Sequence, residues 1–167
     1  ENNDFKLQKS GRYSHSTKYI ESLSSTFNFD IIDFEISKIF IESQPEVIYI
    51  LNRSDAHSDH LITFKAVMAC TKSFRYPFIK QVLMYECISE TEFGAVLPEN
   101  HFLPTYFVDI SPYLETKLLA LKSYQSEMRD WPHSRSYASS NHLVRLPGSQ
   151  VGLAAAEAFH CYRLIQS

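Results

Sequence analysis

Glu46-Val47-Ile48-Tyr49-Ile50-Leu51, running into Asn52-Arg53-Ser54-Asp55-Ala56-His57-Ser58-Asp59-His60, is the stretch whose reading decides the fold. Its first part is short, β-branched and almost unbroken in hydrophobicity, as strands buried in the middle of a parallel sheet tend to be. A polar loop follows at the carboxyl end. Leu61, Phe64, Val67 and Met68 then fall on one face of a helix expected over roughly 59–72. Strand, loop and helix in that order are one half of a βαβ unit.

The pattern continues outward in both directions. Upstream, Phe27, Ile31, Phe34, Ile36, Ile39 and Phe40 have helical spacing over 27–43, with Ser24, Ser25 or Thr26 as the N-cap and Pro45 as the stop. Downstream, 81–86 reads as a second apolar strand, 88–104 as a long loop and 106–110 as a third strand. Ser111 and Pro112 open a helix over 112–129, 130–135 is a loop, and 136–146 reads as helical. Residues 153–166 join an alanine-rich turn to an apolar stretch. Residues 1–25 form an irregular N-terminal segment, with a short strand at Phe5-Lys6-Leu7-Gln8. The expected fold is α/β: a three-layer, Rossmann-like domain with a mostly parallel sheet.

Composition removes several function classes. The chain has 167 residues, 44% hydrophobic and 14% aromatic, which suits one domain with a sizeable core. Its four glycines are Gly11, Gly94, Gly148 and Gly152, with no two closer than four positions apart. A Walker loop and a dinucleotide fingerprint both need glycines packed into one tight turn, so neither can be written here. A net charge of -3 gives no reason for a polyanion partner, so nucleic acid is not expected. Cys70, Cys87 and Cys161 are odd in number and widely spaced, which favours a reducing compartment over a disulfide framework. With no apolar run long enough to span a membrane, the expected location is the cytoplasm.

The chemistry concentrates in Ser54-Asp55-Ala56-His57-Ser58-Asp59-His60, just past the carboxyl end of the first apolar strand, the sheet edge where open α/β folds bind ligands. Neutral imidazole is a common zinc ligand, and a carboxylate on its second ring nitrogen fixes the tautomer. Asp55 or Asp59 can fill that place. The same residues also read as an ordinary turn and helix cap. Two histidines do not make a zinc site, and no second dense cluster offers a third ligand. Tyr85 and Glu86 end a strand at the same edge and read as substrate contacts, or as a buried tyrosine beside a surface glutamate. Arg135, near Trp131 and His133, reads as a contact for a charged or hydroxyl-rich group, or as rim packing. Asp109 and Ser111 read as a strand-end turn and a helix cap. His15, His101 and His133 read as solvated loop residues, and His142 and His160 as packing or surface groups. Neither Cys70 nor Cys87 reads as a nucleophile, and the absence of Gly-x-Ser-x-Gly weakens a serine hydrolase reading.

The tract Asn52-Arg53-Ser54-Asp55-Ala56-His57-Ser58-Asp59-His60, followed by its apolar helix, resembles the second motif of the PIG-L/LmbE-like family of zinc-dependent N-acetylglucosaminyl deacetylases. Three later tracts agree in order: Tyr85-Glu86; Phe107-Val108-Asp109-Ile110-Ser111, opening a helix with Lys117 and Ala120; and Gly148-Ser149-Gln150-Val151-Gly152, followed by Ala156-Glu157-Ala158-Phe159. The resemblance implies a zinc cofactor with His60 as a ligand. It implies His57 as the catalytic residue that stabilises the oxyanion and Asp59 as the carboxylate that orients it. Asp55 and Glu157 would stand behind these groups.

The family's N-terminal His-Pro-Asp-Asp-Glu motif, which supplies two more zinc ligands and the general base, has no counterpart among these residues. Pro147 stands where the family often has an arginine, with Arg145 two residues earlier. The resemblance therefore implies that 26–167 is the carboxyl-terminal part of such a domain, without its N-terminal strand–helix unit. Apolar sheet surface should then be exposed. The implied function is zinc-dependent hydrolysis of the acetamide of an N-acetylated sugar, glycoconjugate or sugar-like amine. The alternative is a non-catalytic fragment or degenerate member of the same fold that binds a carbohydrate or a protein partner.

Overall fold

The period of two along a strand lets the apolar run 47–51 bury one face, Ile48 and Ile50, against a helical layer. In the computed structural model, which describes residues 5–7, 13–15 and 28–166, β1 (Phe5–Leu7) and β2 (Tyr13–His15) form an antiparallel pair of their own. Helix α1 (Asn28–Ser43) leads to β3 (Val47–Leu51), α2 (Ser58–Ala69) and β4 (Gln81–Tyr85). Then come β5 (Tyr106–Asp109), α3 (Leu114–Leu121), α4 (Tyr137–Gln150) and β6 (Ala156–Leu164). The proposed capping residues Ser24, Ser25 and Thr26, together with Phe27 and Gln8, lie outside the described residues.

The four long strands form one sheet in the order β3-β4-β6-β5. The expectation of a mostly parallel, Rossmann-like sheet is corrected here. β3 and β4 are parallel, but β4–β6 and β6–β5 are both antiparallel, so the sheet is mixed. The difference comes from β6, which the sequence presents as a turn and an apolar stretch. Alanine is poor in strand propensity. A bulge then breaks the period of two: Leu83 pairs with Cys161 and Val82 with Arg163, leaving Tyr162 unpaired. β6 enters between β4 and β5 and reverses both pairings.

One face of the sheet carries the main core. Ile48, Ile50, Val82 and Met84 meet Phe40, Cys70, Tyr76 and Ile79, with Ile36, Phe64, Val67 and Met68 packed around them. Ile39, which shares the helical pattern, is 56% exposed instead. On the other face, Leu114, Val144 and Ala155 form a smaller cluster with Ile110 and Leu118. Toward β3 this face is open, and Tyr49 is 59% exposed.

Local chemistry explains the remaining elements. The helix expected over 112–129 is shorter, with α3 flanked by 3-10 turns at Ser111–Tyr113 and Lys122–Tyr124. Ser111 does not cap it: its hydroxyl contacts the backbone N and O of Ala155 and so ties the start of β6. Asp109 does close a strand-end turn, accepting from the Ser111 N–H at 2.8 Å; the Ser111 hydroxyl first, and then this N–H, lower its pKa. Helix α4 runs through Pro147 to Gln150 and is capped by Ser136. It ends in a Schellman motif, with Leu153 N bonded to Gly148 O and Gly152 N to Ser149 O. Gly152 takes the left-handed conformation this needs, at φ 75. Gly148 permits contact with β6, since a Cβ there would lie 2.8 Å from Ala155 Cα. Both glycines of the late tract therefore have structural reasons for being there.

Candidate functional site

The loop 52–57 leaves the carboxyl end of β3 and delivers its side chains to the first turn of α2. His57 is the N-cap: its Nδ1 accepts from the Asp59 N–H at 3.2 Å. Side chains on a helix lean toward its N-terminus, which turns His60 back over the loop. His60 Nδ1 lies 2.8 Å from Asp55 Oδ2. The rings of His57 and His60 stack at 5.2 Å.

The structure thus pairs Asp55 with His60 rather than Asp59 with His57. Asp59 Oδ2 is 4.0 Å from His57 Nδ1, and that side chain is 79% exposed. An exposed carboxylate at that distance orients little. Asp55, by contrast, has a side-chain exposure of 0%. Its other oxygen accepts from the Thr91 hydroxyl at 2.6 Å.

Thr91 had no signal in the local sequence, because it lies in the 86–95 loop. Two backbone contacts hold that loop against the 52–57 loop. Ala56 N donates to Glu90 O at 3.0 Å. A Cβ on Gly94 would come within 2.3 Å of Ser54 O, so only glycine allows the two backbones to approach this closely.

Arg135 lines a small surface cavity with Ser89, Glu127, Arg129 and His133. It bonds Glu127 Oε2 at 2.6 Å and Ser89 Oγ at 2.9 Å, and lies 3.6 Å from Glu90. It clamps the 86–95 loop from outside. Arg145 Nε donates to Asn141 Oδ1 at 3.0 Å on the exposed side of α4. His133 closes a turn by accepting from Arg135 N, His142 meets the edge of Trp131, and His160 bonds Leu103 O.

Tyr85, Glu86 and Glu157 come together. They line a cleft of about 460 Å³ with Tyr49, Val108, Lys117, Leu143, Val144, Ala158 and Phe159. Lys117 Nζ pairs with Glu157 Oε1 at 2.7 Å, which places Glu157 in an ion pair on the cleft wall. Tyr49 and Phe159 face each other at 5.4 Å. Glu86 also lines a smaller cavity of about 240 Å³ together with Thr91 and Asn100.

The carboxyl end of β4 is acidic and partly desolvated. Burial pushes the Glu86 pKa up, and the nearby charges of Glu92 and Asp55 push it further. Burial likewise raises Tyr85, with added repulsion from Cys87 and Asp55, and raises the Cys87 thiol. A glutamate whose folded pKa is raised binds its proton more tightly in the native than in the unfolded state. Stability from this group is therefore present at low pH and lost as pH rises from about 4.5 through the raised value. Glu86→Gln should accordingly raise the thermal midpoint at pH 7 and leave it nearly unchanged at pH 4, as measured by paired melts.

A zinc ion held here would need one ring nitrogen of a histidine free and further ligands around it. Asp55 on Nδ1 leaves His60 Nε2 available to a metal, as such a site requires. Yet among the described residues no group of three or more His, Cys, Asp or Glu side chains is placed to hold an ion. The described residues do not make a complete zinc site. Also among the described residues, no helix is long and apolar enough to cross a membrane.

No family model matches the chain, and no curated protein matches it. Two solved structures are similar in fold. The conserved protein TT1542 from Thermus thermophilus superposes with a TM-score of 0.61 at 17% identity, covering 81% of this chain and 60% of its own. The zinc-inhibited form of teicoplanin deacetylase Orf2 gives 0.59 at 17% identity, covering 98% of this chain and 62% of its own. The chain thus spans about three fifths of the length of each. At this identity the likeness is one of fold: this chain shares its architecture with a deacetylase, in support of its resemblance to the PIG-L/LmbE-like family.

Proposed function

We propose that this chain is a carbohydrate-binding member of the deacetylase fold, taking a sugar or sugar-like amine in the cleft between β3, β6, α3 and α4. The cleft carries this reading. Tyr49, Tyr85 and Phe159 supply aromatic faces against which the C–H face of a pyranose can stack. Glu86 and the Lys117–Glu157 pair supply acceptors and donors for hydroxyls. The acidic surroundings of Glu86 favour an amino over an acidic sugar. The three cysteines are free thiols, which supports a reducing, cytoplasmic setting.

Titration of the chain with N-acetylglucosamine and with glucosamine, followed by amide NMR shifts, tests this reading. Shifts should concentrate at Tyr49, Lys117 and Phe159. Tyr49→Ala, at an exposed position where the fold should survive, should weaken binding about five- to tenfold through lost stacking. Shifts scattered over the surface, or equal affinity in the variant, would refute it.

Zinc-dependent hydrolysis of the acetamide is the second reading, and the Asp55–His60 pair favours it. In it His60 would hold the metal and His57 would stabilise the oxyanion. With His60 as the ligand on hand, purified chain should hold zinc weakly, below one ion per chain. His60→Ala should remove what is held, whereas His57→Ala should not. Zinc retained in full by His60→Ala would overturn the ligand assignment.

A further inference from the structure

We propose that Thr91 is a positioning residue for His60, acting through Asp55 to determine which imidazole nitrogen carries the proton. The hydrogen bonds fix the direction of the relay. Thr91 Oγ1 accepts from the Cys87 N–H at 2.8 Å, which leaves its single hydrogen for Asp55 Oδ1 at 2.6 Å. Asp55 is fully buried at its side chain and, as a carboxylate, has only acceptors. With Oδ1 occupied and turned by Thr91, Oδ2 faces His60 Nδ1 at 2.8 Å and can only accept from it. The proton of neutral His60 is therefore on Nδ1, and the lone pair is on Nε2.

The geometry is held from outside the relay as well. The Ala56–Glu90 backbone bond and the approach of Gly94 to Ser54 lock the two loops together. Arg135 anchors the second loop through Ser89 and Glu90. Thr91 lies 36 residues from Asp55 in sequence, so this control of His60 is built by tertiary contact alone.

Ring 15N shifts of His60 in the full chain, recorded at alkaline pH with long-range proton–nitrogen correlation, read the tautomer directly. The native protein should show a single Nδ1–H form. Thr91→Val keeps the shape and removes the hydroxyl. It should replace that signature by averaged shifts from a mixture with the Nε2–H form, and Thr91→Ser should restore it. A purely structural threonine would change the unfolding midpoint without moving the tautomer. The proposal fails if Thr91→Val leaves His60 in the Nδ1–H form. It fails equally if the native chain shows Nε2–H, a result that needs no variant to fold.

Discussion

Asp55→Ala is expected to lower the unfolding free energy by about 2–3 kcal/mol, the range for losing hydrogen bonds to a charged acceptor and orphaning their donors. The side chain is wholly buried and receives both the His60 ring and the Thr91 hydroxyl. Truncation leaves those two donors facing a small void. His60 is 20% exposed at its side chain and can recover a water, which keeps the loss below that of a fully sealed pair. For a chain of this length, the change corresponds to a fall of about 5–10 °C in thermal midpoint. Urea unfolding of both proteins gives the free energy, and a difference under about 1 kcal/mol would show that Asp55 is not paired as described. Asp55→Asn separates shape from protonation. An amide nitrogen placed toward His60 would require Nδ1 to accept, moving the ring proton to Nε2, while packing stays nearly the same.

Ile79→Ala should cost about 3–4 kcal/mol, within the usual range for truncating a buried aliphatic chain where the surroundings cannot collapse. Ile79 is 0% exposed and sits in the cluster of Phe40, Ile48, Ile50, Tyr76 and Val82, where both helices α1 and α2 meet the sheet. Ile39→Ala is the control. Ile39 occupies the same helical pattern but is 56% exposed, so its loss should be under about 0.5 kcal/mol. Chemical denaturation of the two variants measures the contrast directly. Comparable losses would place the core elsewhere.

The elements that carried a plain physical signal were legible in the sequence. Val47–Leu51, Gln81–Tyr85 and Tyr106–Asp109 are strands because short β-branched and aromatic runs have few other ways to be buried. The helix after His57 is legible from its apolar spacing and begins within one residue of the expected position. The reach of α4 past Pro147 was not legible. Proline ordinarily ends a helix, and here the Schellman turn at Gly148–Leu153 carries the last carbonyls beyond it.

Within the site, the sequence marks the cluster of Asp55, His57, Asp59 and His60 but not its pairing. Adjacent letters suggest Asp59 with its histidine neighbours. The direction of helical side chains instead sends His60 back to Asp55 and Asp59 out to solvent. Arg135 beside Trp131 suggests a ligand contact; what the letters do not show is that its guanidinium is held by Glu127, Ser89 and Glu90 at the wall of a small cavity.

The sequence by itself determined the strand and helix segments around Asp55–His60, the absence of a glycine phosphate loop, and the concentration of ionisable groups past β3. Those features are local: they depend on spacing and residue type over a few positions. Tertiary structure alone decided that β6 reverses between β4 and β5, that Thr91 and Gly94 meet the Asp55 loop, and that Lys117 reaches Glu157 across the cleft. Each joins segments tens of residues apart, and the partners of a buried polar group are set by which backbones approach, information that local periodicity does not contain.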